Sequence, residues 1–133
     1  MSVFSDAELD CLRSQRLGRL ATVGQDGMPH VVPVAFRCNP DADCIDIGGH
    51  DFAKRKEFPD IQGTGVAALV VDGVLSPWQP RAVGVRGQGF TLNSGGKAIN
   101  EGFDDPIIRI TPSRIMAWDL EDGFQAKLNR RGS

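Results

Sequence analysis

A glycine pair leads directly into cations at Gly48-Gly49-His50-Asp51-Phe52-Ala53-Lys54-Arg55-Lys56, where a strand-like run ends and a segment of helical composition begins. Backbone N–H groups at a helix start attract negative charge, and three consecutive cations add to that attraction. His50, Lys54, Arg55 and Lys56 are therefore candidate contacts to a phosphate. The run also fits a solvated charged face, since Asp51, Glu57 and Asp60 flank it and most charge runs lie at the surface. Trp78, between Pro77 and Pro80 and near Arg81, offers either a flat wall to a planar ligand or an ordinary packing element. Arg86 and Arg109 fall in strand-like runs, where an inward charge needs a partner and an outward one does not. His30, beside Pro29, reads as a turn residue or a polar contact.

His30 and His50 are the only histidines, and the chain lacks a nucleophile elbow, a helical zinc pair, a Walker loop and a dinucleotide fingerprint. Hydrolase and nucleoside-triphosphatase readings fall away. So small a protein remains a plausible enzyme when a cofactor carries the reaction. Cys11, Cys38 and Cys44 are an odd number, with no signal-peptide pattern and no apolar run of membrane-spanning length, so a reduced, cytoplasmic protein is expected. Cys38 and Cys44 flank the turn Asn39-Pro40-Asp41-Ala42-Asp43 and are placed to face each other across a hairpin. Two thiols are too few for a zinc site, and no metal is expected. A formal net charge of -2 gives no general attraction to nucleic acid or to an anionic membrane, so any anion site must be local.

The elements that must position these residues are mostly strands. At 133 residues the chain fits one domain, and its apolar share of 41% and charged share of 24% are those of a folded protein. Ser5 with Glu8 reads as a capping box, and Leu9, Leu12 and Leu17 follow it at helical spacing. Residues 17 to 24 read as a strand, Gln25-Asp26-Gly27 as a turn, and His30 to Arg37 as the returning strand, with Pro33 marking an edge or a local break. Cys44 to Gly48 is a third strand. Phe52 to Phe58 is a short helical segment that Pro59 limits, and Gly65 to Asp72 is a buried strand. Residues 82 to 92 form a strand with one polar face, bent by Gly84, Gly87 and Gly89. Ser94 to Phe103 is a weak helix or loop, and Ile107 to Ile110 and Arg114 to Trp118 are two strands separated by Thr111-Pro112-Ser113. The C-terminal run Lys127-Leu128-Asn129-Arg130-Arg131 reads as a frayed tail, the alternative being a segment that reaches over a pocket. Six or seven strands with small helices make a mainly β, barrel-like domain over residues 1 to 133.

Taken in order, several segments resemble one family: Arg19-Leu20-Ala21-Thr22-Val23, Gly27-Met28-Pro29-His30-Val31-Val32-Pro33-Val34, the Gly49-His50 segment, Val70-Val71-Asp72, Pro77-Trp78-Gln79-Pro80-Arg81, Val85-Arg86-Gly87 and Ile108-Arg109-Ile110-Thr111-Pro112. The chain resembles the pyridoxamine 5'-phosphate oxidase-like split β-barrel family, and within it the actinobacterial branch of F420-dependent oxidoreductases. The resemblance implies a split barrel of the FMN-binding type. It also implies a homodimer with cofactor sites at the subunit interface, and hydride transfer between a deazaflavin (F420) and a small conjugated organic substrate. Pro33, Val34 and Ala35 would meet the cofactor ring, the segment His50 to Lys56 would hold the phosphate, and Trp78 to Arg81 would help wall the pocket. FMN is the alternative cofactor, and a cofactor-independent binder or catalyst on the same barrel is the alternative of another class. One departure stands out: where relatives carry further cations, this chain has Glu57 and Pro59. A carboxylate beside a phosphate repels it unless it points to solvent.

Overall fold

The computed structural model describes residues 2–120 and, for the backbone alone, the strand 125–128. Ser5 caps the first helix, α1 (Asp6–Arg13): its hydroxyl accepts from the Glu8 N–H at 3.1 Å, and its own N–H donates to the Glu8 carboxylate at 2.8 Å. The capping box expected from sequence is thus closed in both directions. Cys11 and Leu12 on the buried side of α1 are fully enclosed. Leu17 is not part of this helix; it starts the first strand.

Among the described residues seven strands form one sheet: β1 (Leu17–Val23), β2 (Pro29–Asn39), β3 (Cys44–Gly48), β4 (Val66–Leu75), β5 (Gln79–Leu92), β6 (Ile107–Trp118) and β7 (Gln125–Leu128). Their order is β3-β2-β1-β4-β5-β6-β7, and an added pairing of β3 with β6 closes six of them into a barrel. All pairings are antiparallel. The first half of β6 closes on β3 and the second half carries β7. Residues 127 and 128, read from sequence as tail, therefore belong to a paired strand, and residues 129 to 131 lie outside the described residues.

Alternation along each strand sends one side chain in two to the barrel interior. Leu20, Val34, Ile45, Ile47, Leu69, Val83, Val85, Ile108, Ile110 and Ile115 fill it. Burying each such side chain contributes about 1.5–3 kcal/mol. Pro33 sits where β2 has β1 on one flank and has not yet met β3, whose pairing starts at Ala35. Pro33 thus has one unpaired flank, the kind of position at which a strand tolerates a residue without an N–H.

Three sequence expectations need correction. Residues 111 to 113 do not divide two strands. Strand β6 runs through them with a one-residue bulge, because the register passes from Arg86↔Arg114 to Gly87↔Pro112 and leaves Ser113 over. Gly87 makes this possible, since a Cβ there would collide with the Thr111 carbonyl. Nor does Pro59 end a helix. A 3-10 turn (Phe52–Lys54) is followed by an extended Arg55, and α2 (Glu57–Thr64) then carries Pro59 in its first turn, where its lost N–H would have had no partner. Finally, Cys38 and Cys44 do not face each other. Cys44 pairs with Asn39 and Cys38 with Ile45, so adjacent register positions send the two thiols to opposite faces. The short helix α3 (Gly96–Ile99) falls inside the segment read as a weak helix or loop.

Candidate functional site

The face of the sheet turned away from the core carries two rows of residues. In the first, Val31, Ala21, Ala68, Arg86 and Arg114 are successive register partners from β2 through β1, β4 and β5 to β6. In the second, Pro33, Arg19, Val70, Gly84 and Met116 run parallel to it. Small residues at Ala21, Ala68 and Gly84 hollow this face. A Cβ on Gly84 would stand 3.1 Å from the Trp118 ring, so the indole lies directly above that glycine. Two hollows of about 450 Å³ and about 320 Å³ open over the rows and share Ala21, Ala68 and Arg86. The combined groove is in the size range of small-molecule sites, roughly 300–1,000 Å³.

Of the proposed ring contacts, Pro33 is exposed on this outward face, Val34 is buried in the core, and Ala35 is half-buried. The groove therefore meets β2 through Pro33 and Val31, while Val34 supports the strand from behind.

The segment proposed to hold a phosphate is largely committed to contacts of its own. The Asp51 N–H, at the start of the 3-10 turn, donates to the Asp104 carboxylate at 2.9 Å, so an acid of this chain already occupies that anion position. Arg55 lays its guanidinium against the His50 carbonyl at 3.0 and 3.3 Å. The His50 imidazole stands edge-on to Phe103, with centroids 5.3 Å apart. Lys56 Nζ lies 2.5 Å from Asp60 Oδ1, and Asp60 Oδ2 accepts from the Thr22 hydroxyl at 2.9 Å. The Lys56 hydrogen bond, seconded by that of Thr22, holds the Asp60 carboxyl below the usual carboxylate range. Of the three cations, Lys54 is the one whose side chain makes no hydrogen bond or ion pair among the described residues.

Glu57 does not point to solvent. It is 2% exposed, with Oε1 3.3 Å from His30 Nε2 and Oε2 buried without a hydrogen-bond partner among the described residues. His30 thus has the polar contact that sequence left as one of two options, and α2 is held over the ends of β1 and β2 by buried carboxylates instead of by cations.

Trp78 and Arg81 lie elsewhere. Trp78 forms the tip of the β4–β5 hairpin and is 75% exposed, and Arg81 pairs with Asp10 of α1 at 3.2 Å. Strand β4 runs ten residues from α2 to that tip, about 30 Å at the strand rise. Within one protomer these two residues and the 50–56 segment are not brought together.

Arg109 faces outward on the other side of the barrel and clamps the β3–β6 closure. Its Nε and Nη2 donate to Asp46 at 2.8 and 3.1 Å, and Asn39 adds a third donor at 2.9 Å. Burial pushes the Asp46 carboxyl up, but these hydrogen bonds and the guanidinium charge outweigh it and hold the group below the usual range.

Sequence reasoning singled out Arg86 but not Arg114, Ala21, Ala68 or Gly84. The available signal was period-2 alternation of small residues against core aliphatics in β1, β4 and β5.

No family model matches the chain. It is 36% identical over 130 residues to the 5a,11a-dehydrotetracycline/5a,11a-dehydrooxytetracycline reductase of Streptomyces rimosus, covering 96% of this chain and 92% of the relative. Among solved structures, general stress protein 26 of Bacillus anthracis superposes with a TM-score of 0.71 at 17% identity, over 92% of this chain and 96% of that one. A FAD-binding protein of Mesorhizobium loti gives 0.66 at 21% identity, over 93% and 95%. The structural likenesses establish the fold, and the Streptomyces relative establishes the kinship. The chain belongs to the pyridoxamine 5'-phosphate oxidase-like split β-barrel reductases, the family of that dehydrotetracycline reductase.

Proposed function

We propose that the protein is a deazaflavin (F420)-dependent reductase of a small conjugated organic molecule, active as a homodimer whose subunits meet over the outward groove. The groove itself carries this reading: an apolar hollow floored by Ala21, Ala68 and Gly84 accepts a flat ring, and Arg86 supplies positive charge at its edge. The kinship with a reductase of a polycyclic substrate supports the reaction class. Exposed apolar side chains around the groove, Val31 at 62% and Val66 at 48%, favour a second copy as its roof. Twofold pairing also offers a way for Trp78 and Arg81 of one subunit to serve the pocket of the other.

When bound, the cofactor supplies the hydride. The chain's own part is to orient the two reactants through Pro33 and the groove floor, to exclude water, and to offset negative charge through Lys54 and Arg86. The Asp104 carboxylate at the turn and the buried Glu57 argue against a compact phosphate cup of the kind FMN requires. An open groove suits a deazaflavin with a long acidic tail better.

Titrating the purified protein with F420 and with FMN, followed by absorbance and fluorescence, tests the proposal, with sedimentation to read the oligomer. Saturable binding of the deazaflavin by a dimer is expected. Binding of neither cofactor would overturn the redox reading, and tighter binding of FMN would replace one cofactor by the other.

A further inference from the structure

Arg86 and Arg114 are direct cross-strand neighbours on the outward face. Opposed like charges destabilise a sheet. Among the described residues, the positions around them are Ala68, Gly84, Gln88 and Met116, with Leu128 of β7 in register beside Arg114, none of them acidic. Among the described residues neither arginine has a carboxylate partner, and Arg114 Nε is buried with no hydrogen-bond acceptor. A buried guanidinium N–H without an acceptor is costly and unusual in a folded protein. Arg86, Gly87 and Ser113 line the larger hollow, and the Ser113 hydroxyl is tied to the Arg86 carbonyl at 3.1 Å, fixing the bulge beside the two guanidiniums.

We infer that Arg86 and Arg114 form an oxyanion subsite at the edge of the groove, which takes a carboxylate or phosphate of the ligand lying in it. Two guanidinium forks converging on one oxyanion satisfy the idle Arg114 N–H and remove the repulsion between the arginines. The inference rests on the groove being a ligand site and is independent of which redox cofactor the protein uses. It also places the anion contact on β5 and β6 instead of in the His50–Lys56 segment, where Arg55 and Lys56 are already held by contacts of their own.

Inorganic phosphate is the first probe, with the full-length protein and its Arg86→Met and Arg114→Met variants followed by thermal melting and calorimetric titration. Phosphate should raise the wild-type melting temperature saturably, and either variant should weaken phosphate binding by about tenfold or more. In phosphate-free buffer neither variant should melt below wild type, because each relieves the repulsion; a purely structural arginine would give the opposite. The second probe separates the sources of the oxyanion: intact F420 is compared with its deazaflavin chromophore lacking phosphate and tail. Weakened binding of F420 but not of the chromophore in the variants assigns the subsite to the cofactor's acidic chain, and equal binding of both assigns it to another anion provided the phosphate effect holds. If the wild type binds phosphate at these arginines but neither F420 nor FMN, the redox reading fails and the subsite stands. Absence of any phosphate effect, or variants whose only change is loss of the dimer, would overturn the inference, the latter by showing that the pair meets a carboxylate of the second copy.

Discussion

Replacing Asp46 by alanine tests the account of barrel closure. Only three register pairs join β3 to β6, and the middle one is Asp46↔Arg109. The carboxylate is almost completely buried and accepts from Arg109 twice and from Asn39 once, whereas the Arg109 side chain keeps 30% of its exposure. Removing one partner of a buried pair costs about 3–5 kcal/mol, chiefly by stranding the other charge. Because Arg109 can recover some hydration, the lower end applies, about 3 kcal/mol. For a domain of this length that corresponds to a fall in melting temperature on the order of 10 °C. Urea denaturation gives the free energy directly, and an unchanged m-value confirms that the unfolding reaction is the same. Replacing both residues, Asp46→Leu with Arg109→Met, should cost less than Asp46→Ala alone, since no charge is then stranded. The pH dependence follows from the depressed carboxyl. Its contribution is complete above the unfolded value of about 3.9 and is lost as acidification passes through the lower folded value. A loss below about 1 kcal/mol for Asp46→Ala, or a double variant worse than the single one, would refute the reasoning.

Gly87→Ala forces a Cβ into the Thr111 carbonyl, which is backbone and cannot swing aside, so a loss of about 1–3 kcal/mol is expected in thermal or urea unfolding; wild-type stability would refute the close approach of Gly87 to the bulge. Glu57→Lys, which places a cation where the family resemblance led one to be expected, buries an ammonium beside His30 and should destabilise by about 3 kcal/mol or more without improving F420 affinity. A fluorescence titration showing tighter binding would reverse the account of this position. Lys54→Ala should lower cofactor affinity several-fold and Lys56→Ala less, because Asp60 already holds Lys56; the reverse order would make Lys56 the ligand contact.

Much of the barrel is written locally. The alternation in residues 17–24 and 30–37 around Asp26-Gly27 defines the first hairpin, and Gly27 takes the positive φ of 82° that the turn needs. The boundaries that misled sequence reasoning both involve proline. Pro112 and Pro59 are strong local stop signals, yet a bulge opposite Gly87 absorbs the first and a helix's first turn absorbs the second. Those accommodations depend on residues 25 positions away or on an orphan N–H, which a local pattern does not contain. The site divides in the same way. The cations at 54–56 are conspicuous in sequence, but the pairing of Lys56 with Asp60 and the capture of the Asp51 N–H by Asp104 arise only on folding. Conversely, Arg114 looks ordinary until register sets it opposite Arg86.

The alternation that builds the groove also separates two burdens along each strand. Leu20, Leu69, Val85 and Ile115 hold the interior, while their immediate neighbours Ala21, Ala68 and Arg86 line the groove and Arg114 stands in register beside it. A substitution at an outward position changes the shape or charge presented to a ligand and leaves the interior packing intact, apart from positions such as Gly84 that are roofed by an aromatic ring. Ligand preference can therefore drift one strand at a time, each step tolerated by the same unaltered barrel.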